Sequence, residues 1–167
     1  MTSKSEYLEE LQAMKSRWEA LLGGLSEDQL VAPELDDGWS VKDVVAHLMA
    51  WQRITNARLR AALRDEEPDF GEWPEGLQPD SEEDLEAINA WIYTTYHDLS
   101  WGSVFQYWRS GYQSLLDTAR AVPVSVLMET GRFDWLPGYP LSAVLEGTLE
   151  HHEEHYGWVM DWLEGKG

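Results

Sequence analysis

The chain has 167 residues, 43% of them apolar, with 31 Asp and Glu against 12 Lys and Arg, a formal net charge of −19. Binding nucleic acid or an anionic membrane surface takes a basic footprint, so composition argues against both partners. The absence of cysteine removes disulfides, thiolate metal sites and a cysteine nucleophile.

The length suits one domain spanning 1–167, with enough apolar content for a real core. The stretch MTSKSEYLEELQAMKSRW is charged and amphipathic, without the apolar centre of a signal peptide. No segment reaches the roughly 20 apolar residues of a membrane span, and the expected setting is cytoplasmic.

In chain order, Tyr7, Leu8, Leu11, Met14, Trp18, Leu21 and Leu22 recur at three- and four-residue steps. They predict a first amphipathic helix, ended by Gly23 and Gly24. Ser26 opens a short capped turn. In WSVKD, Ser40 caps a second helix and Asp43 completes a capping-box pattern. From Val41 through Val44, Val45, Leu48, Trp51, Thr55, Leu59 and Leu63, its apolar stripe runs for about six turns.

RDEEPDFGEWPEGLQPD, rich in proline, glycine and charge, reads as a long connection or lid, not a domain linker. Ser81 begins a third helix through Leu85, Ile88, Trp91, Ile92 and Tyr96. A kink at DLSWG is expected to lead it into Val104, Phe105, Trp108, Tyr112, Leu115, Leu116 and Ala119. VPVSVLMETGRFDWLPGYP is irregular. The last helix is expected to start at Pro140, a residue favoured in first turns, and to run to Leu163. No β alternation persists. The class is all-α: a four-helix bundle whose long connection between helices 2 and 3 permits a crossover topology.

Three of the five histidines lie in EHHEEH. His151 and His155 are at i, i+4, one turn apart on one face, so both can reach one cation; His152 and His155, at i, i+3, nearly share that relation. On the helical wheel His155 falls inside the arc of Val144, Thr148, Val159 and Trp162. His152 lies near its centre and His151 at its edge, and one of the three is expected to face solvent. In the second helix His47 sits on the flank of the stripe, beside Trp51 and Ile54. Three imidazoles from two helices leave a divalent metal open to water or substrate, as catalytic sites do. Spacing permits His47, His151 and His155 without choosing between the pairs.

His97 has no partner at ligand spacing and reads as structural or surface. Glu150 and Glu154 are candidate acceptors for imidazole N–H groups, with a solvated role the simpler one. Most of the ten tryptophans should be core. The candidate pocket walls are Trp51, beside His47, and Trp135 and Tyr139 in the loop before the histidine helix; Trp73 in the long connection is another loop aromatic.

GWSVKDVVAHLMAWQ resembles the first signature of the DinB-like metal-binding helical bundles, a Trp-Ser helix start with a histidine seven residues on. EHHEEHYGWV resembles their second, His-x-x-x-His on the last helix. INAWIYTTYHDLSWGSVFQYWRSGYQSLL and GRFDWLPGYPLSAVLEGTLEHHEEH are similar to the ClbS/DfsB-like branch, so the resemblance covers nearly the whole chain. It implies an up-down-down-up bundle holding nickel or zinc on three histidines. Motif by motif these are His47, His151 and His155, with His152 at a commonly aromatic, non-ligand position. The family includes thiol-dependent transferases, an isomerase and a genotoxin self-resistance protein. The transferase branch often follows the last histidine with Arg-Gly-Gln, where this chain has Tyr156-Gly157-Trp158.

The function so implied is a metal-dependent hydrolase or transferase acting on a small molecule in stress or toxin resistance. No catalytic residue is assigned. The alternatives are a non-catalytic small-molecule binder and a structural bundle, whose apolar faces would serve a homodimer.

Overall fold

The computed structural model describes residues 3–165; residues 1, 2, 166 and 167 of the expected 1–167 domain lie outside the described residues. Four long helices carry the architecture: α1 (Lys4–Gly23), α3 (Val41–Arg64), α5 (Trp101–Ala121) and α7 (Ser142–Leu163). Three shorter helices complete it: α2 (Glu27–Val31), α4 (Leu85–Tyr96) and α6 (Val124–Met128). No strand occurs among the described residues. Helix α3 packs on α5 and α7, and α1 on α7 and α5, so the four long helices close a ring around one core.

Local chemistry sets the helix starts. Ser26 and Ser40 each form a full capping box, with Gln29 and Asp43 reaching back to the cap N–H. The expected kink at DLSWG is a complete break. Tyr96 ends α4, and Ser100, in extended conformation, accepts from the Ser103 N–H and starts α5 afresh. Pro140 precedes α7 instead of opening it; the helix begins at Ser142, while the Pro140 carbonyl accepts from the Ala143 N–H. The irregular segment before it contains α6.

The core is aromatic as well as aliphatic. Trp18, Trp108 and Tyr112 are fully buried, and their polar ends are satisfied across helices. Trp18 Nε1 donates to the His152 carbonyl, and Tyr112 Oη to the Leu11 carbonyl. Helices α3 and α5 approach closely enough that Gln52 Nε2 donates to the Trp108 carbonyl and Asn56 Nδ2 to the Gly111 carbonyl. A Cβ on residue 111 would sit 2.6 Å from Gln52 Nε2, so any larger residue there would displace the Gln52 amide.

The long connection over residues 65–81 has no helix of its own before the turn at Glu82–Asp84. It is fastened to the bundle by Trp73, whose ring meets Trp51 edge-on at 5.7 Å and Trp91 at 6.3 Å. Asp80, near its end, pairs with Arg58 of α3.

Candidate metal centre

The second helix delivers its histidine through a rigid start. Asp43, one turn before His47, is buried; its Oδ2 accepts from the N–H and hydroxyl of Ser40, and Oδ1 lies 2.8 Å from His97 Nδ1. His97, read from the sequence as structural or surface, thus clamps the end of α4 to the start of α3. Lys42 strengthens the clamp by donating to the His97 and Leu99 carbonyls.

From α3 and α7 three imidazoles converge. One ligating nitrogen from each of His47, His151 and His155 lies within 4.8 Å of the other two. His47 Nε2 and His151 Nε2 are 2.9 Å apart, and the His47 ring stacks on His155 at 5.0 Å. His155 Nδ1 donates to the His151 carbonyl at 2.8 Å, which directs its Nε2 lone pair towards the others. His47 Nδ1 is buried without a partner.

Burial holds all three rings neutral. It pushes His47 down to about 3, with His155 and His152 adding repulsion, and His151 down to about 2, with His47 and His155 adding to it. His155 is lowered by burial as well, against the pull of the His151 carbonyl. Neutral imidazole is the form a metal needs, and these remain so throughout the physiological range.

The expectation that one clustered histidine faces solvent is overturned: His152 and His155 are buried and His151 half-buried. A bundle helix is flanked by two neighbours, which together cover a wider arc than one apolar stripe suggests. His151 and His155 point towards α3. His152, 1% exposed, points into the core between Trp18, Trp108 and Tyr112. Its Nδ1 donates to the Thr148 carbonyl and its Nε2 accepts from Trp108 Nε1, so both nitrogens are spoken for. The carbonyls of His151 and Thr148 are the imidazole acceptors; Glu150 and Glu154 are exposed.

Burial lowers His152 to about 4, against an unfolded value near 6.5. Between those pH values the unfolded chain binds a proton that the folded chain refuses. Stability is therefore whole above pH 6.5 and falls as the pH drops towards 4, by on the order of 3 kcal/mol from this group. His152→Phe is expected to lower stability at neutral pH, because Trp108 Nε1 loses its acceptor, and to flatten the acid limb. Urea denaturation from pH 7 to pH 4 checks it: parallel curves for both proteins would contradict the assignment.

The triad opens onto a cavity of about 1330 Å³ between α3, α4 and α7. Trp51 lines it. Trp135 and Tyr139 do not: Trp135 stacks on Phe133 at 4.6 Å, and Tyr139 is 61% exposed. Their loop closes through the Gly131 N–H to the Tyr139 carbonyl and turns Leu136 to the cavity instead. Trp73 stands behind Trp51 and outside the lining.

Sequence reasoning missed Trp39, edge-on to His47 at 5.5 Å; Trp158, 4.0 Å from His155; and a polar floor of Thr55, Thr148, Gln52 and Arg58. Periodicity carried a signal for part of this floor. Arg58 follows His47 by eleven residues, which brings it back to within about 20° on a 3.6-residue helix.

The class so defined is an all-helical bundle with three neutral imidazoles on the wall of a deep cavity. The sequence pattern of the DinB superfamily matches residues 10–159, and the chain belongs to that superfamily. Among solved structures it resembles DfsB, a sibling lethal factor precursor, at 16% identity, covering 99% of this chain and 98% of that one, with a TM-score of 0.80. An uncharacterised protein from Escherichia coli UTI89 is 14% identical, with 99% and 95% covered and a TM-score of 0.83. The colibactin self-resistance protein ClbS, solved in complex with double-stranded DNA, is 14% identical, with 98% and 97% covered and a TM-score of 0.79. DfsB and ClbS are the branch the sequence resembles; at these identities the likeness is one of fold. No curated protein matches the chain.

Proposed function

We propose that His47, His151 and His155 hold a divalent metal, nickel or zinc, and that the protein acts on a small molecule bound in the adjoining cavity. The carrying observation is the convergence of the three ligating nitrogens within 4.8 Å. Tetrahedral zinc with bonds of about 2.0–2.1 Å separates its nitrogen ligands by about 3.3 Å, a distance the triad reaches with shifts of a few tenths of an ångström to about an ångström. The donor set also fits: the three rings are uncharged, and His155 is oriented by its carbonyl.

A metal so held supplies Lewis acidity to a bound water, thiol or carbonyl. The chain's own residues do the rest. Trp39, Trp51 and Trp158 wall the triad with aromatic faces, and the His155 Nδ1 bond to the His151 carbonyl orients that ring. In this reading the protein is an enzyme of hydrolase or transferase type in stress or toxin resistance; ClbS is named as a colibactin self-resistance protein. Elemental analysis of freshly purified protein tests the site. One nickel or zinc per chain in wild type and none in His47→Ala is expected; equal content in both would overturn it.

A non-catalytic binder is the second reading, favoured by one observation: the histidine nitrogens point at one another, and no carboxylate bonds any of the three. Mass spectrometry of candidate toxins after incubation separates them, with product expected for the enzyme and unchanged ligand for the binder.

The DNA bound by ClbS is not carried over, because a chain of net charge −19 lacks the cations that displace phosphate counterions. A fluorescently labelled duplex at physiological salt is expected to show no anisotropy change with this protein. Saturable binding would return DNA to the reading. Among the described residues no helix is long and apolar enough to cross a membrane.

A further inference from the structure

Beyond the triad, the cavity is lined by one cation. Arg58 is the only Lys or Arg among its described lining residues, in a chain with twelve in all. Its side chain is only 11% exposed. Nη2 donates to Asp80 Oδ2 at 2.7 Å, while Nε is buried with no partner. Nε and Nη2 form one edge of the guanidinium, the edge that grips a carboxylate through two parallel hydrogen bonds. Asp80 uses half of that edge. Its own side chain is 66% exposed and sits on the long connection, beside the cavity-lining Pro79.

We infer that Arg58 anchors a carboxylate at the far end of an elongated ligand whose other end reaches the histidine triad. This deepens the small-molecule reading and rests on it for the metal end alone. Asp80 is then an internal carboxylate that yields its place to the ligand. His47 and Arg58 are eleven residues apart on one face of α3, about 16 Å along the axis, so the ligand is a long one. The Thr55 and Thr148 hydroxyls, bonded to each other at 2.9 Å, line the path between. The acidic residues that also line the cavity, Glu34, Asp36, Glu86 and Asp161 among them, are exposed, so solvent and salt screen them. The Arg58 side chain is largely buried, at 11% exposed, and a charge pair is stronger there than in open solvent.

Titration calorimetry on zinc-loaded protein tests this with decanoic acid, decylamine and mercaptoundecanoic acid. Decanoic acid is expected to bind about tenfold or more tightly than decylamine, the scale of a charge-assisted hydrogen bond. Arg58→Gln should erase that preference. Asp80→Asn should strengthen acid binding severalfold, because it removes the internal competitor. If Arg58 and Asp80 merely pin the connection, both variants would weaken the acid alike, and that result overturns the proposal, as would equal or tighter amine binding. The metal reading is judged separately. It fails if His155→Ala affects mercaptoundecanoic acid no more than decanoic acid, an outcome that leaves the Arg58 comparison intact.

Discussion

His155→Ala is expected to bind zinc or nickel at least about a hundredfold more weakly than wild type, beyond the roughly 10–100-fold that loss of a supporting residue costs. His155 contributes one of three nitrogens, and its Nδ1 bond to the His151 carbonyl fixes the geometry of the pair. Its removal leaves two imidazoles on different helices, His47 and His151. Thermal unfolding with and without metal is the check. A ligand at about a thousandfold over its Kd stabilises the native state by about 4 kcal/mol, so wild type should melt at a visibly higher temperature with metal, whereas a variant weakened a hundredfold or more gains about 1.4 kcal/mol or less at the same concentration. His152→Gln is the control. Both its ring nitrogens are engaged in the core, so it should keep the metal-dependent shift. An equal shift in His155→Ala and wild type would remove His155 from the site.

Trp108→Ala should cost about 3–5 kcal/mol, a large share of the 5–15 kcal/mol typical of a folded protein. The side chain is fully buried, packs on Trp18, Phe105 and Tyr112, and donates to His152 Nε2. Its loss opens a cavity and removes the partner of a buried imidazole at once. The effect is expected on stability, with the metal-dependent shift retained as in His152→Gln. Urea unfolding, monitored by helical circular dichroism, measures the loss. A loss under about 1 kcal/mol would mean that the Trp108 side chain, which reaches His152 across the core, is not a main support of the bundle.

The legible part of the fold was the part written in periodicity. The stripes of Tyr7 to Leu22 and Val41 to Leu63 announced α1 and α3, and the Ser40–Asp43 pattern located a helix start to the residue. Boundaries without such chemistry were less exact. At DLSWG the apolar spacing continues across a turn, so a break looks like a kink until Ser100 is seen capping a new helix. Pro140 is compatible with a first helical turn and also with the residue before one.

At the site, the i, i+4 spacing in EHHEEH established that two histidines share a face, and His47 supplied a third on another helix. Which pair faces His47 was a matter of relative helix rotation, which no single helix encodes. The wheel gives each side chain an angle; the neighbouring helix decides whether that angle is solvent, core or cavity. Hence His152, central on the arc, belongs to the Trp18–Trp108–Tyr112 core, while His151, on its edge, meets His47 Nε2 at 2.9 Å. Trp135 and Tyr139 show the same limit in a loop, where the closure from Gly131 to Tyr139 turned Leu136 inward instead. Sequence alone determined the helices, their apolar faces and the candidate ligands, because those follow from local spacing. The tertiary structure alone decided which imidazoles meet and how Arg58 is paired, because each depends on contacts between residues far apart in the chain.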